Sequence, residues 1–144
     1  PRRLPASAEV GWQHVREAAV SLPPFDLELD DIEVFTGTNV VYLAIGKGMA
    51  QLIAMHQAMN RSGLWFAEPF EYHPHVTLAQ EITPEQVPAI ADLARRRWRE
   101  FSSPRSFHVE TITFVQNTRQ NLWIDLGECH LGSRKAELLE PILA

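Results

Sequence analysis

Two segments of the chain share one sequence pattern, and this internal repeat is the feature that most limits the fold. Residues 25–46 have the sequence FDLELDDIEVFTGTNVVYLAIG, and residues 107–127 have the sequence FHVETITFVQNTRQNLWIDLG. The first segment alternates apolar and acidic residues, as on a strand with one exposed face, and then passes through a polar turn into a continuous apolar strand. Trp123 aligns with Tyr42, and Gly127 aligns with Gly46. The repeat therefore predicts two similar antiparallel hairpins.

The elements around the hairpins extend the repeat. Apolar spacing predicts helices at 7–21, 49–59 and 83–101, the first with Ser7 as N-cap and the third with Thr83 as N-cap and Pro84 at its first position. It also predicts a bulge at the Asp30–Asp31 pair, a short strand at 75–80, hairpin strands near 107–114 and 120–126, and a last helix at 133–139. The second half thus opens with a strand, whereas the first half opens with its helix. By the repeat, the missing opening strand of the first half lies upstream of Pro1.

Length and composition narrow the class of protein. The 144 residues predict a single domain, and 45% apolar with 22% charged residues is ordinary for a globular protein. The formal net charge of −5 argues against broad, nonspecific nucleic-acid binding, which needs a basic surface. The single cysteine, Cys129, fits a reducing compartment. The longest apolar run, Val40–Ile45, is too short to span a membrane, and no secretory leader is present. A cytoplasmic location without membrane contact is the expectation.

The short strand at 75–80 carries the residues best suited to chemistry. Strand geometry points His75 and Thr77 to one face and Val76 and Leu78 to the other. Histidine titrates near neutral pH and can give or take a proton there, and a threonine hydroxyl can donate to a phosphate oxygen. This pair predicts half of a phosphodiester-cleaving site. The alternative is that His75 occupies an ordinary half-exposed position in a sheet, because a lone H-x-T tripeptide is a weak signal.

The surrounding residues carry a family resemblance. Residues 70–80, FEYHPHVTLAQ, resemble the second H-x-T-φ motif (φ apolar) of the 2H phosphoesterases, in particular the bacterial 2′-5′ RNA ligase-like proteins. Residues 38–48, TNVVYLAIGKG, and 66–80 are also similar to the family. The resemblance implies an α+β, bilobal, pseudo-twofold fold with two antiparallel sheets that line a central cleft and helices outside.

The resemblance also implies an activity. Members of the family open 2′,3′-cyclic phosphates at RNA ends or join ends by 2′-5′ linkages, with one histidine as general base and another as general acid. No metal and no other cofactor is required, and the two hydroxyl residues hold the phosphoryl oxygens. For this chain the resemblance makes His75 and Thr77 the catalytic pair of the second lobe. The expected substrates are RNA ends or small cyclic nucleotides, and the expected class is a hydrolase of RNA processing.

The chain departs from the family pattern at two places. No other H-x-[ST] occurs in the 144 residues, so the first pair is absent from them, and both the repeat and the resemblance place it before Pro1. Gln80 stands where many members carry an arginine, which leaves the phosphate contact there open. The alternative to an enzyme is therefore a non-catalytic module that binds RNA ends or nucleotides and has lost half of the site.

Several other residues have two interpretations. His73 is a substrate-binding candidate at the edge of the site, and it also forms an H-x-H pair with His75 that could hold a metal in a hydrolase, although no cysteine or carboxylate cluster stands beside it. Tyr42 and Trp123 could stack on a base of the substrate or pack in the core. The four arginines at 95–97 and 99 could contact RNA, but nearby acidic residues favour a solvated helix face.

Overall fold

The chain adopts an α+β fold, seen in a computed structural model that describes residues 7–120 and 122–139. The described residues form three α-helices: α1 Ala8–Ser21, α2 Met49–Met59 and α3 Val87–Glu100. They form seven strands: β1 Phe25–Phe35, β2 Val40–Ile45, β3 His75–Ala79, β4 Ser106–Val109, β5 Thr111–Asn117, β6 Trp123–His130 and β7 Ala136–Leu138. Two antiparallel sheets result, in the orders β3-β2-β1-β4 and β5-β6-β7. The predicted class is confirmed, and the strand predicted upstream of Pro1 lies outside the described residues.

The backbone divides into two compact units, one made of 26–53 and 72–108 and the other of the described parts of 1–25, 54–71 and 109–144. In the unit that contains 26–53, β1 and β2 form the predicted hairpin around the turn at 36–39. Leu29 pairs with Ile45 and Ile32 with Leu43, so β1 carries one extra residue between them. This confirms the bulge predicted at the Asp30–Asp31 pair, which re-aims the following strand residues.

One face of this sheet is covered by α3. Its core contains Ile32, Val41, Leu43 and Ala91, with Trp98 among the partly buried side chains packed against them. The residues of β1 and β2 that alternate with this core point to the opposite face, because successive strand side chains point to opposite sides. Helix α3 therefore covers the sheet on one side and leaves the other side for the candidate site.

The other unit is built on the second hairpin, β5 and β6, with α1 packed against both strands. Ser7 caps α1 as predicted, since its hydroxyl accepts from the N–H of Val10 at 3.4 Å. The ring of Trp12 lies 5.9 Å from that of Phe114. The second predicted hairpin is therefore confirmed, although its strands lie about three residues further along the chain than expected.

Two segments beside the second hairpin differ from the sequence prediction. Residues 107–114 form two strands, because β4 joins the first sheet and β5 the second, with the break at Glu110. The predicted helix at 133–139 is strand β7, which pairs with β6 across a turn closed by the hydrogen bond from the N–H of His130 to Lys135 O at 2.9 Å. So short a helix is marginal alone, and pairing with β6 overrides its propensity.

Helix α3 begins at Val87 and not at Pro84, the predicted first position after the cap Thr83. Pro88 has no N–H to donate to the carbonyl of Pro84, so no helical hydrogen bond closes there. The bond from Ile90 N to Gln86 O, 3.1 Å, comes next, and Thr83 N donates instead to the side-chain oxygen of Gln86 at 2.9 Å.

Within 7–120 and 122–139, none of the helices has the length and apolar character that crossing a membrane requires.

Candidate active site

The predicted catalytic pair lies on β3, an edge strand of the first sheet. His75 pairs with Ala44 and Thr77 with Tyr42, so both side chains share the face opposite to α3, whereas Val76 pairs with Leu43 of the core. His75 and Thr77 are both exposed. The structure therefore presents an imidazole and a hydroxyl side by side on an accessible surface, as the period-two pattern predicted.

The backbone carbonyl of His73 determines which ring nitrogen of His75 carries the hydrogen. His75 Nδ1 lies 2.7 Å from the carbonyl oxygen of His73, and the buried Pro74 between them favours an extended backbone at His73. A carbonyl oxygen only accepts hydrogen bonds, so Nδ1 carries the hydrogen. In the neutral ring Nε2 then has the free lone pair and can accept a proton. This arrangement suits a general base, or a general acid once the ring is protonated.

Three rings lie around His75, those of Phe35, Tyr42 and His73. We call these three residues and His75 the ring cluster. Phe35 and Tyr42 stack with centroids 4.0 Å apart and planes at 22°. His75 meets Phe35 at 5.0 Å and 88°, and Tyr42 at 5.3 Å and 67°. His73 lies 5.2 Å from Phe35 and 5.7 Å from Tyr42, also edge-on. Edge-to-face contacts of this kind are the favoured arrangement of aromatic pairs.

A hydrogen bond holds Tyr42, the buried residue of the ring cluster, which we call its floor. The Tyr42 hydroxyl donates to Glu33 Oε2 at 2.7 Å. Burial, together with the hydrogen bond and the negative charge of Glu33, raises the pKa of Tyr42 to about 12. Tyr42 therefore remains a neutral donor at physiological pH and is not an acid or base of the site.

The other predicted substrate-binding residues occupy different surroundings. Tyr42 is only 3% exposed and stacks on Phe35, and this burial favours core packing over base stacking. Gln80 is exposed just after β3. Trp123 is 63% exposed at the start of β6, in the unit built on the second hairpin, so base stacking by Trp123 stays a prediction.

Sequence reasoning missed two residues of the site, Phe35 and Glu33. Glu33 pairs with Tyr42, and Phe35 lies two residues further along the same face of β1. The available signal was the register of the hairpin, which the turn at 36–39 largely fixes. Counting back from that turn places both residues beside Tyr42.

Among the described residues, no third ligand joins His73 and His75 in a possible metal site. The two rings lie 6.4 Å apart, centroid to centroid. Across the described part of the chain, no group of three or more His, Cys, Asp or Glu residues is placed to hold a metal ion.

A model of a known protein family matches most of the chain. The family model described as the 2′-5′ RNA ligase superfamily matches residues 1–121. This range includes the whole of the first sheet, the ring cluster and Thr77. A search of curated proteins found no match to the chain.

Proposed function

Since the chain belongs to the 2′-5′ RNA ligase superfamily, we propose that it is a metal-independent phosphodiesterase that opens 2′,3′-cyclic phosphates at RNA ends or on small nucleotides. The observation that carries the proposal is the hydrogen bond from His75 Nδ1 to His73 O. It leaves Nε2 of an exposed imidazole free for proton transfer, on the same strand face as the Thr77 hydroxyl.

In the proposed reaction, a water oxygen attacks phosphorus while the P–O3′ bond breaks. One histidine accepts the proton of the water, and a second, protonated histidine donates a proton to the departing O3′. The product is a 2′-phosphate with a free 3′-hydroxyl. Thr77 donates a hydrogen bond to a phosphoryl oxygen and so stabilises the negative charge that it carries in the transition state.

We place the second histidine on a strand that precedes Pro1, and the pairing of the two hairpins supports this. In the first sheet β3 pairs with β2 from Val41 to Ala44. The residues aligned with Val41–Ala44 are 122–125, yet β7 pairs only with Gly127–Cys129 of β6. Among the described residues, no strand lies against the side of β6 from Trp123 to Asp125 that faces away from β5. A strand equivalent to β3 fits this open edge.

Kinetics of variants of the full-length protein test the proposal. General acid–base groups contribute roughly 10²–10⁴-fold, so we expect His75→Ala to lower kcat on a 2′,3′-cyclic nucleotide by that factor. Thr77→Val removes one hydrogen bond to a charged group, for which we expect a loss of about 10- to 100-fold. The matched control is His108→Ala, since His108 is an exposed histidine of the same sheet whose Nδ1 lies 2.9 Å from Asp26 Oδ1. Equal turnover by His75→Ala and His108→Ala would exclude His75 from the reaction.

A second function is favoured by one observation, the single H-x-[ST] in the 144 residues. A protein that lacks one of the two pairs of histidine and hydroxyl residue would bind cyclic-ended RNA without cleaving it. Fluorescence anisotropy with a labelled cyclic-ended RNA distinguishes the two, because binding without turnover, weakened by Thr77→Val, identifies the binding module.

A further inference from the structure

The backbone position of His75 does not fix the orientation of its ring, which therefore depends on side-chain contacts. His75 is exposed on an edge strand, where main-chain pairing fixes the direction of the Cα–Cβ bond but not the plane of the imidazole. One hydrogen bond, from Nδ1 to His73 O, restrains one side of the ring. The Cβ–Cγ bond and this one hydrogen bond still allow the exposed ring to tilt, so contacts with other side chains are needed to hold its plane.

Phe35 is the nearest of the rings around His75, and Tyr42 follows at 5.3 Å. The ring of Phe35 meets that of His75 at 5.0 Å and 88°, which places the edge of one ring against the face of the other. Phe35 is itself immobilised, because it is half-buried and stacks on Tyr42 at 4.0 Å. Tyr42 is in turn held by its hydrogen bond to Glu33. A continuous chain of contacts thus runs from the exposed imidazole to the buried floor of the ring cluster.

We infer that Phe35 is a positioning residue for the reaction: it fixes the plane of the His75 imidazole so that Nε2 points toward the phosphate. It contacts no reacting atom and acts only through His75. The kinetic part of this inference rests on the proposed function, whereas the orientation of His75 does not.

The loss of kcat expected on replacing Phe35 can be estimated from the rate that correct positioning of a catalytic group contributes. Misplacing a catalytic group by about 1 Å can cost on the order of 10²-fold in rate. Without Phe35, the hydrogen bond to His73 O still retains part of the orientation. We therefore expect Phe35→Leu, which keeps an apolar side chain and removes the flat ring, to lower kcat by about 10- to 100-fold and to change KM by less than about threefold.

The experiment compares Phe35→Leu, Phe35→Tyr and Phe107→Leu in the full-length protein. Phe35→Tyr keeps the ring and should restore kcat. Phe107, which is 53% exposed on β4, is the control for loss of an aromatic side chain elsewhere in the sheet. For each variant, circular dichroism and thermal unfolding confirm the fold, and kcat and KM are measured on a 2′,3′-cyclic nucleotide.

Histidine NMR gives a readout that is independent of turnover. Long-range ¹H–¹⁵N spectra at alkaline pH report which ring nitrogen of His75 carries the hydrogen. We expect the Nδ1–H form in the wild type, in Phe35→Tyr and in Phe107→Leu, and a mixture of both tautomers in Phe35→Leu. If the wild type shows no turnover, the proposed function fails and the NMR result alone decides the positioning. The role of Phe35 is refuted if Phe35→Leu and Phe107→Leu show the same His75 tautomer. Where the wild type turns over, their kcat values would also have to be equal.

Discussion

Replacing Tyr42 by phenylalanine removes one hydroxyl below the candidate site and keeps the ring that stacks on Phe35. That hydroxyl donates to Glu33 Oε2 at 2.7 Å; Tyr42 is 3% exposed, whereas Glu33 is exposed. A hydrogen bond to a charged acceptor contributes roughly 1.5–3 kcal/mol when no other partner replaces it. Because water can solvate Glu33 in the variant, we expect Tyr42→Phe to lower the free energy of unfolding at neutral pH by about 1 kcal/mol.

The same hydroxyl makes stability depend on alkaline pH. Folding raises the pKa of Tyr42 from its ordinary value of 10.0 to about 12. A raised pKa means that the stabilisation is complete below the unfolded value and is lost as the pH rises through the folded value. Two pKa units correspond to about 2.7 kcal/mol in total, and about 1.4 kcal/mol of this is lost by about pH 11. The Tyr42→Phe variant has no such group and should not show this loss.

Urea unfolding at neutral pH and near pH 11 measures both effects. The wild type should lose about 1.4 kcal/mol more than Tyr42→Phe between the two conditions, which cancels the advantage that it has at neutral pH. Glu33→Gln keeps an acceptor and removes the charge, so its alkaline loss should be smaller than that of the wild type. In a double-mutant cycle the two positions should couple by about 0.5–1 kcal/mol. Equal pH dependence of the wild type and Tyr42→Phe, or no coupling, would refute this description of the site floor.

Two further predictions concern the unit built on β5 and β6 and its repeat counterpart. A Cβ at Gly127 would lie 2.7 Å from the Trp12 ring and 3.0 Å from a backbone oxygen, so Gly127→Ala should destabilise by about 1–3 kcal/mol. At the aligned Gly46 the nearest atom is 3.6 Å away, so thermal unfolding of Gly46→Ala should stay close to the wild type, and equal melting of the two variants would contradict the packing described. Cys129 is 1% exposed and burial raises the pKa of its thiol, so a disulfide reagent should label it only after unfolding; rapid labelling of the folded protein would show that this strand opens.

The sequence was informative wherever local pattern decides structure. Helix α2 has the predicted bounds, α1 begins after the predicted cap, and the bulge in β1 lies at the predicted acidic pair. The face shared by His75 and Thr77 followed from strand periodicity alone. These features depend on interactions between residues close in the chain, which is the information that periodicity and capping contain.

The start of α3 was missed although its cause, Pro88, is local, whereas the other missed features depend on partners distant in sequence. The break at Glu110 follows from β4 and β5 joining different sheets, although the apolar pattern runs through it without interruption. Residues 136–138 form a strand because β6 is available to pair with them. The role of Phe35 needed the register of one hairpin and the pairing of a third strand, so its contact with His75 was visible only in three dimensions.

The most direct test of the proposed chemistry is the identity of the product. The full-length protein is incubated with a 2′,3′-cyclic nucleotide in the presence of EDTA, and ³¹P NMR resolves the 2′-phosphate from the 3′-phosphate. We predict conversion to the 2′-phosphate alone, and conversion by His75→Ala that is slower by roughly 10²–10⁴-fold. A folded wild-type protein that yields no product, a requirement for added metal, or a 3′-phosphate that His75→Ala still forms would each contradict the proposed reaction.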